Sequence, residues 1–283
     1  MSARSRTALT INGNGRKDRE EARPVTVPDF LSARSRGQRL TLLTAYDYVM
    51  ARLLDEAGVD GLLVGDSLGM VVQGQPDSLA VTLDEMIYHT RLVVRGTKRA
   101  LVVTDLPFMT YQVSPQQALE SAGRLIKEGG CHAVKLEGGQ RSAAAIEAVT
   151  RADIPLMGHV GLTPQSVRRL GGFKVQRDAG RLLEDALAVE AAGAFAIVVE
   201  CVPEAVAARI TEAVKIPTIG IGAGPHCDGQ ILVTPDLLGT FDELRPRFAK
   251  RYADVGAEIR SAVQEYCREV REGVFPGPEQ SFR

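Results

Sequence analysis

The chain has 283 residues, is 45% hydrophobic and 24% charged, and carries a formal net charge of -1. Its basic and acidic residues are interspersed, so nothing in it selects a nucleic-acid backbone or a membrane surface, and no apolar run reaches the roughly 20 residues of a membrane span. Cys131, Cys201, Cys227 and Cys267 lie far apart without a C-x-x-C pair, and the N-terminus has no apolar leader, so the expectation is a cytoplasmic protein with reduced thiols.

Residues 1–24 are polar and basic, with Asp18, Glu20 and Glu21 among them, and read as a disordered tail rather than a transit peptide. From Val25 the chain repeats a single unit: a short Val, Ile and Leu run, a Gly-rich or polar turn, then a segment with helical spacing. The runs are "RLTLLTAYD", "VDGLLVGDS", "ALVVTDLPF", "HAVKLEGG", "IPLMGHVGL", "AFAIVVECV", "IPTIGIGAG" and "QILVTPDLL". Their near-continuous apolar character predicts parallel strands covered on both faces and joined by right-handed crossovers. Thr82 to Glu85 predicts a capping box. Ser114 and Gln117 predict another, with Pro115 at the first helical position and Gly129 and Gly130 ending the helix. Phe248, Tyr252, Val255, Ile259, Val263 and Val270 predict the apolar stripe of one long C-terminal helix. No linker divides residues 25–283, so the expected fold is a single-domain (β/α)8 barrel, with a doubly wound open sheet as the alternative.

In such a barrel the strand ends meet at one mouth. Read in order, those ends carry Asp47, then Asp66 and Ser67, Asp105, Lys135 and Glu137, His159, Glu200, and the glycines of "GIGAG". Strand alternation puts Lys135 and Glu137 on one face and Val134 and Leu136 on the other. An acid at a strand end also serves to cap a helix or close a turn. Crowded carboxylates repel, however, and burial penalises their charge, so a cluster calls for a cation. Asp66, Asp105 and Glu137 offer only oxygen, which selects a hard ion, Mg²⁺ first. With Lys135 the charges balance and the site is ready for an anionic ligand. A 2-keto acid fits, held through its carboxylate and keto oxygens while the ion stabilises its enolate. Glu200 is the candidate proton acceptor, its pKa expected to be raised by Ala196 and Val198 on the same face. His159 is a candidate donor to a substrate oxygen, while His89, His132 and His226 receive no role. The "GIGAG" loop is either a phosphate cradle or a tight turn.

"LTAYDY", "LLVGDSLGMVVQG", "VTLDEMIYHT", "DLPFMTY", "AVKLEGG", "GHVGLTPQSV", "GGFKVQ", "ECVP", "IPTIGIGAG" and "DGQILV" follow one another from about Val25 to the C-terminus. This series resembles the 3-methyl-2-oxobutanoate hydroxymethyltransferase, or ketopantoate hydroxymethyltransferase, family. The resemblance implies a (β/α)8 barrel, assembled as a homodecamer. It also implies transfer of a one-carbon unit from 5,10-methylenetetrahydrofolate to 3-methyl-2-oxobutanoate, giving 2-dehydropantoate for pantothenate and coenzyme A synthesis. By the same resemblance Asp66, Asp105 and Glu137 bring Mg²⁺ to the keto acid, directly or through water; Ser67, Asp105 and Lys135 contact it, and Glu200 accepts a proton. Asp66 and, from its strand-end position alone, His159 complete the expected substrate contacts. The polar tail lies outside the matching region, and the "RDAG" stretch after "GGFKVQ" is short, which bears on how a loop covers the site. Two alternatives stay open on the residues alone: a metal-dependent barrel that breaks a carbon–carbon bond in a 2-oxo or 2-hydroxy acid, and a non-catalytic binder of phosphate ligands through "GIGAG".

Overall fold

The structure, a computed structural model, describes residues 23–243 and 245–282. A short helix α1 (Val27–Ala33) precedes β1 (Leu40–Thr44), α2 (Tyr48–Ala57), β2 (Gly61–Val64), the single turn α3 (Leu68–Val71), α4 (Leu83–Gly96) and β3 (Leu101–Asp105). The chain continues through α5 (Pro115–Arg124), β4 (Ala133–Lys135), α6 (Ala143–Thr150), β5 (Leu156–Gly161), α7 (Val167–Leu170), α8 (Ala179–Ala191), β6 (Ala196–Glu200) and α9 (Glu204–Ala213). The last elements are β7 (Thr218–Ile221), β8 (Gly229–Leu232), α10 (Thr234–Leu238) and α11 (Val255–Glu272). The eight strands pair in sequence order and β8 closes on β1 in parallel, so the sheet is a barrel and the open-sheet alternative is excluded.

Strand alternation divides the core in two. Leu42, Val103, Ala133, Met157, Val198 and Ile219 point inward and form one buried cluster with Phe30 and Ala33 of α1, which plugs the N-terminal end. Phe30 is fully buried and meets Phe195 edge to face, with ring centroids 6.0 Å apart. The other strand face, including Leu62, Val102, Val134, Leu156 and Val199, packs beneath the helices in a larger cluster. Val134 and Leu136 thus lie outside the barrel wall, as the alternation in "AVKLE" predicts.

The helix signals hold with three corrections. Thr82 and Glu85 form the reciprocal capping box. Ser114 Oγ accepts the Gln117 N–H at 3.1 Å, but the Gln117 side chain accepts from Val113 N–H at 3.1 Å and donates to Met109 O, so the return half of the expected box goes one residue upstream. After α5 the chain widens into a π turn over Leu125–Gly129 and stops at Gly130, whose φ of 81° favours glycine. Secondly, β7 and β8 are joined by residues 222–228 without a helix. Thirdly, the C-terminal helix begins only at Val255, capped by Asp254, while Phe248 and Tyr252 lie upstream in irregular chain. Ile259, Val263 and Val270 are 53%, 54% and 45% exposed, so this stripe faces away from the core. Of the expected tail, residues 1–22 lie outside the described residues; Arg23 forms an ion pair with Asp29 of α1. Among the described residues no helix is long and apolar enough to cross a membrane.

Candidate active site

The inward row of several strands changes from apolar to polar at its C-terminal end. Val103 gives way to Asp105, Ala133 to Lys135 and Glu137, Met157 to His159, and Val198 to Glu200, each two residues on and therefore on the same face. With Asp66 and Ser67, which follow β2, these side chains line one cavity of about 420 Å³ at the barrel mouth. All seven residues singled out in the sequence are brought together there. Asp47 is not among them; it caps α2, accepting the Met50 N–H at 2.9 Å.

Lys135 Nζ lies 2.5 Å from Asp105 Oδ1, both groups buried, and Asp105 Oδ2 accepts the Asp66 N–H at 3.2 Å. Burial, reinforced by the charge of Asp105, pushes the Asp66 carboxyl up to about 7. Burial and the neighbouring Asp66 hold Glu137 well above the usual carboxylate range. For Lys135, burial works against the ammonium, but Asp105, Glu137 and Asp66 outweigh it and push the group to about 12. A fixed cation therefore sits among three acids.

The His159 ring bridges this floor to Glu200, with Nδ1 3.7 Å from Glu137 Oε1 and Nε2 3.2 Å from Glu200 Oε2. Burial, then the charge of Lys135, lowers its pKa, so the imidazole is neutral at pH 7. Neither contact has hydrogen-bond alignment, and both ring nitrogens are buried without a partner among the described residues, as is Ser78 Oγ on the same cavity wall. Buried polar atoms without partners are costly in a finished core and mark where a ligand is received. Ser67 Oγ is oriented by Tyr46 OH at 2.9 Å.

Several cavity residues escaped the sequence reading. Ser78 lines this cavity, while Gln165 and Tyr111 line a neighbouring one that shares Glu137 with it; all three are uncharged, so a search for charge at strand ends passes over them, although Gln165 follows "GLTP" directly after β5. Asp236 of α10 also lines the wall; burial pushes it up to about 6, with Arg251 opposing. Phe173 and Val175, from the loop between α7 and α8, reach the cavity despite the short "RDAG" stretch, whose Asp178 caps α8. Phe248 lines the same rim.

The remaining histidines serve the fold. His89 Nδ1 lies 2.7 Å from Tyr46 O, His132 Nδ1 accepts the Val102 N–H at 3.0 Å, and His226 Nε2 lies 2.8 Å from Glu204 at the surface. The "GIGAG" glycines answer to packing: Gly222 has φ 61°, and a Cβ there would come 2.8 Å from the Phe248 ring. No helix follows this loop, so it lacks the amino-terminal dipole that makes a phosphate cradle, and the turn reading prevails.

The donor chemistry fits a hard cation. Asp66 and Glu137 each commit one oxygen to a protein donor, Gln165 Nε2 at 2.8 Å and Gln165 N–H at 3.0 Å, leaving the other uncommitted to backbone or amide donors. Among the described residues no three Asp, Glu, His or Cys side chains are placed to enclose an ion by themselves. An open oxygen set suits Mg²⁺, which takes one or two carboxylates and fills its octahedron with water and ligand oxygens.

Residues 24–278 match the family model described as ketopantoate hydroxymethyltransferase. Two relatives named 3-methyl-2-oxobutanoate hydroxymethyltransferase, from Clostridium beijerinckii and Pelobacter propionicus, are each 56% identical, covering 91% of this chain and 95% and 97% of theirs. A third of that name, from Heliobacterium modesticaldum, is 55% identical over 92% of this chain and 96% of its own. Among solved structures, a phosphonopyruvate hydrolase superposes with a TM-score of 0.60 at 15% identity, covering 90% of this chain and 93% of that one. A 2,3-dimethylmalate lyase gives 0.60 at 16%, with 90% and 91% covered. At that identity the structures share the barrel alone. The sequence relatives go further: the family model spans residues 24–278, a range that contains every strand end supplying the cavity, and the chain belongs to the ketopantoate hydroxymethyltransferase family.

Proposed function

We propose that this transferase moves a one-carbon unit from 5,10-methylenetetrahydrofolate to C3 of 3-methyl-2-oxobutanoate, giving 2-dehydropantoate in pantothenate and coenzyme A synthesis. The names of the relatives support the acceptor and the group transferred. One observation carries the site assignment: Glu200 stands apart from the floor of three acids and a lysine, with the neutral His159 ring between them, 3.2 Å from Glu200 and 3.7 Å from Glu137. One carboxylate is thereby kept for proton transfer while the others manage charge.

Lys135 and Ser67 bind the keto acid's carboxylate, and His159 offers an N–H to a substrate oxygen. Asp66, Asp105 and Glu137 would hold Mg²⁺ directly or through water; when bound, the ion supplies positive charge at the keto oxygen and so acidifies the C3 proton. Glu200 accepts that proton. The electron pair left on C3 forms the new bond to the methylene carbon, water supplies the hydroxyl as both carbon–nitrogen bonds to the folate break, and the two folate nitrogens take up the C3 proton held by Glu200 and one proton of the water, so that tetrahydrofolate leaves. Phe173, Val175 and Phe248 offer an apolar wall to the flat donor and limit water at the mouth. The exposed α11 stripe is the surface offered for the homodecamer that the family resemblance implies.

The test is proton NMR of 3-methyl-2-oxobutanoate in D₂O with the protein and Mg²⁺. The expected result is loss of the C3 proton signal, slowed about 10²–10⁴-fold in Glu200→Gln while keto-acid binding is kept. Absence of exchange in the unaltered protein, with tetrahydrofolate also present, would sink the proposal.

A further inference from the structure

Asp66 and Glu137 come from different strands, and their side chains do not touch a common charged partner at hydrogen-bond distance. They share Gln165. Its Nε2 donates to Asp66 Oδ2 at 2.8 Å and to Leu106 O at 3.0 Å, and its backbone N–H donates to Glu137 Oε2 at 3.0 Å. The other end of the amide is equally committed: Oε1 lies 2.7 Å from Tyr111 OH and 3.1 Å from Gln112 Nε2. Leu106 O is an acceptor only, so the NH₂ group must face it and Asp66, and the carbonyl must face Tyr111. The opposite orientation would set the amide oxygen against a carboxylate. Tyr111 OH in turn accepts the Glu137 N–H at 3.2 Å, tying the amide to the backbone that carries the second acid.

The cluster is buried throughout: Tyr111 is 4% exposed, Gln165 7%, Asp66 4% and Glu137 2%. Buried carboxylates lacking a full set of donors turn toward whatever donor is nearest, and Lys135 is near. Gln165 prevents that by holding one oxygen of each acid, which leaves the second oxygen of each directed to the cavity.

We infer that Gln165, held by Tyr111, is a positioning residue that sets Asp66 and Glu137 as a pair for a divalent cation. The inference rests on the proposed reading of those two acids as the metal side of the site. Gln165 does not line the cavity at the barrel mouth; its action runs through the two carboxylates, and partners of this kind are worth about 10–100-fold in metal affinity.

The probe is Mn²⁺ titrated into the full chain, with free ion counted by electron paramagnetic resonance and no substrate present. Gln165→Met keeps the length and the backbone N–H but removes all four hydrogen bonds of the side-chain amide, and should raise the Mn²⁺ Kd about 10–100-fold. Asp66→Asn should weaken binding at least as much, and the double variant should fall little below Asp66→Asn alone, since both changes remove one interaction. A packing defect alone would lower Tm and leave the Kd of the folded protein unchanged. Should Gln165→Met not fold, Tyr111→Phe, which loses one hydroxyl, is expected to raise the Kd at least about threefold while circular dichroism stays native. A Kd within twofold of the unaltered protein in the variant that folds, with Asp66→Asn clearly weakened, overturns the role of Gln165 alone. Equal Mn²⁺ binding in Asp66→Asn and the unaltered protein overturns the metal-side reading itself.

Discussion

Acidic residues gather at both ends of this barrel, and their partners differ. At the N-terminal end, Asp55 accepts the N–H groups of Lys98, Arg99 and Ala100 at 2.9, 3.1 and 2.7 Å. Asp60 accepts the Thr41 N–H and the Arg99 guanidinium, both at 3.0 Å, and Asp228 accepts the Thr218 N–H and the Arg34 guanidinium, both at 2.9 Å. Each of these acids is satisfied by the chain itself, and each ties a loop to the sheet. At the C-terminal mouth, Asp66, Asp105 and Glu137 share one lysine and one glutamine. The residue types are the same, and the supply of donors separates structural acids from functional ones.

The comparison breaks most sharply at Lys135. Lys135→Met removes the ammonium that sits among three buried acids, and should weaken keto-acid binding about 100-fold and lower stability by about 3 kcal/mol at pH 8, read by titration and urea unfolding. Unchanged keto-acid binding would make this end as structural as the other. A smaller and opposite pattern is expected at the base: Asp55→Ala leaves three N–H groups without their acceptor and should cost about 2 kcal/mol of stability, with turnover per folded molecule within twofold. A large loss of kcat there would show that the ends are coupled.

The smallest effect concerns pH. Asp66 is raised to about 7 by burial and Asp105, and Glu137 is raised by burial and Asp66. A carboxyl raised on folding stabilises the protein while protonated, fully so below its unfolded value near 4, and that contribution is lost as pH rises through about 7. Without Mg²⁺, Tm should therefore fall between pH 5 and 8 by a few degrees, and saturating Mg²⁺ should flatten the slope with uptake accompanied by proton release. Asp66→Asn should remove most of the slope; retention of the full slope would place its origin elsewhere.

Eight apolar runs, their order and the strand-end positions of Asp66, Asp105, Lys135, Glu137, His159 and Glu200 were all legible in the sequence, because burial on both faces and a two-residue period leave a direct trace in residue type. Other features had no such trace. Asp47 carries the same signature as Asp66, and whether a strand-end acid turns into the barrel or back onto a helix depends on where the first turn begins. The α11 stripe reads the same whether it faces core or solvent, and only packing showed it exposed. Gln165 and Tyr111 are neutral side chains 54 residues apart, joined by the loops after β3 and β5. A periodic pattern is a local property of the chain and survives in the sequence. The donors given to each buried acid come from distant loops, so only the closed barrel decided which carboxylates were satisfied and which were left facing the cavity.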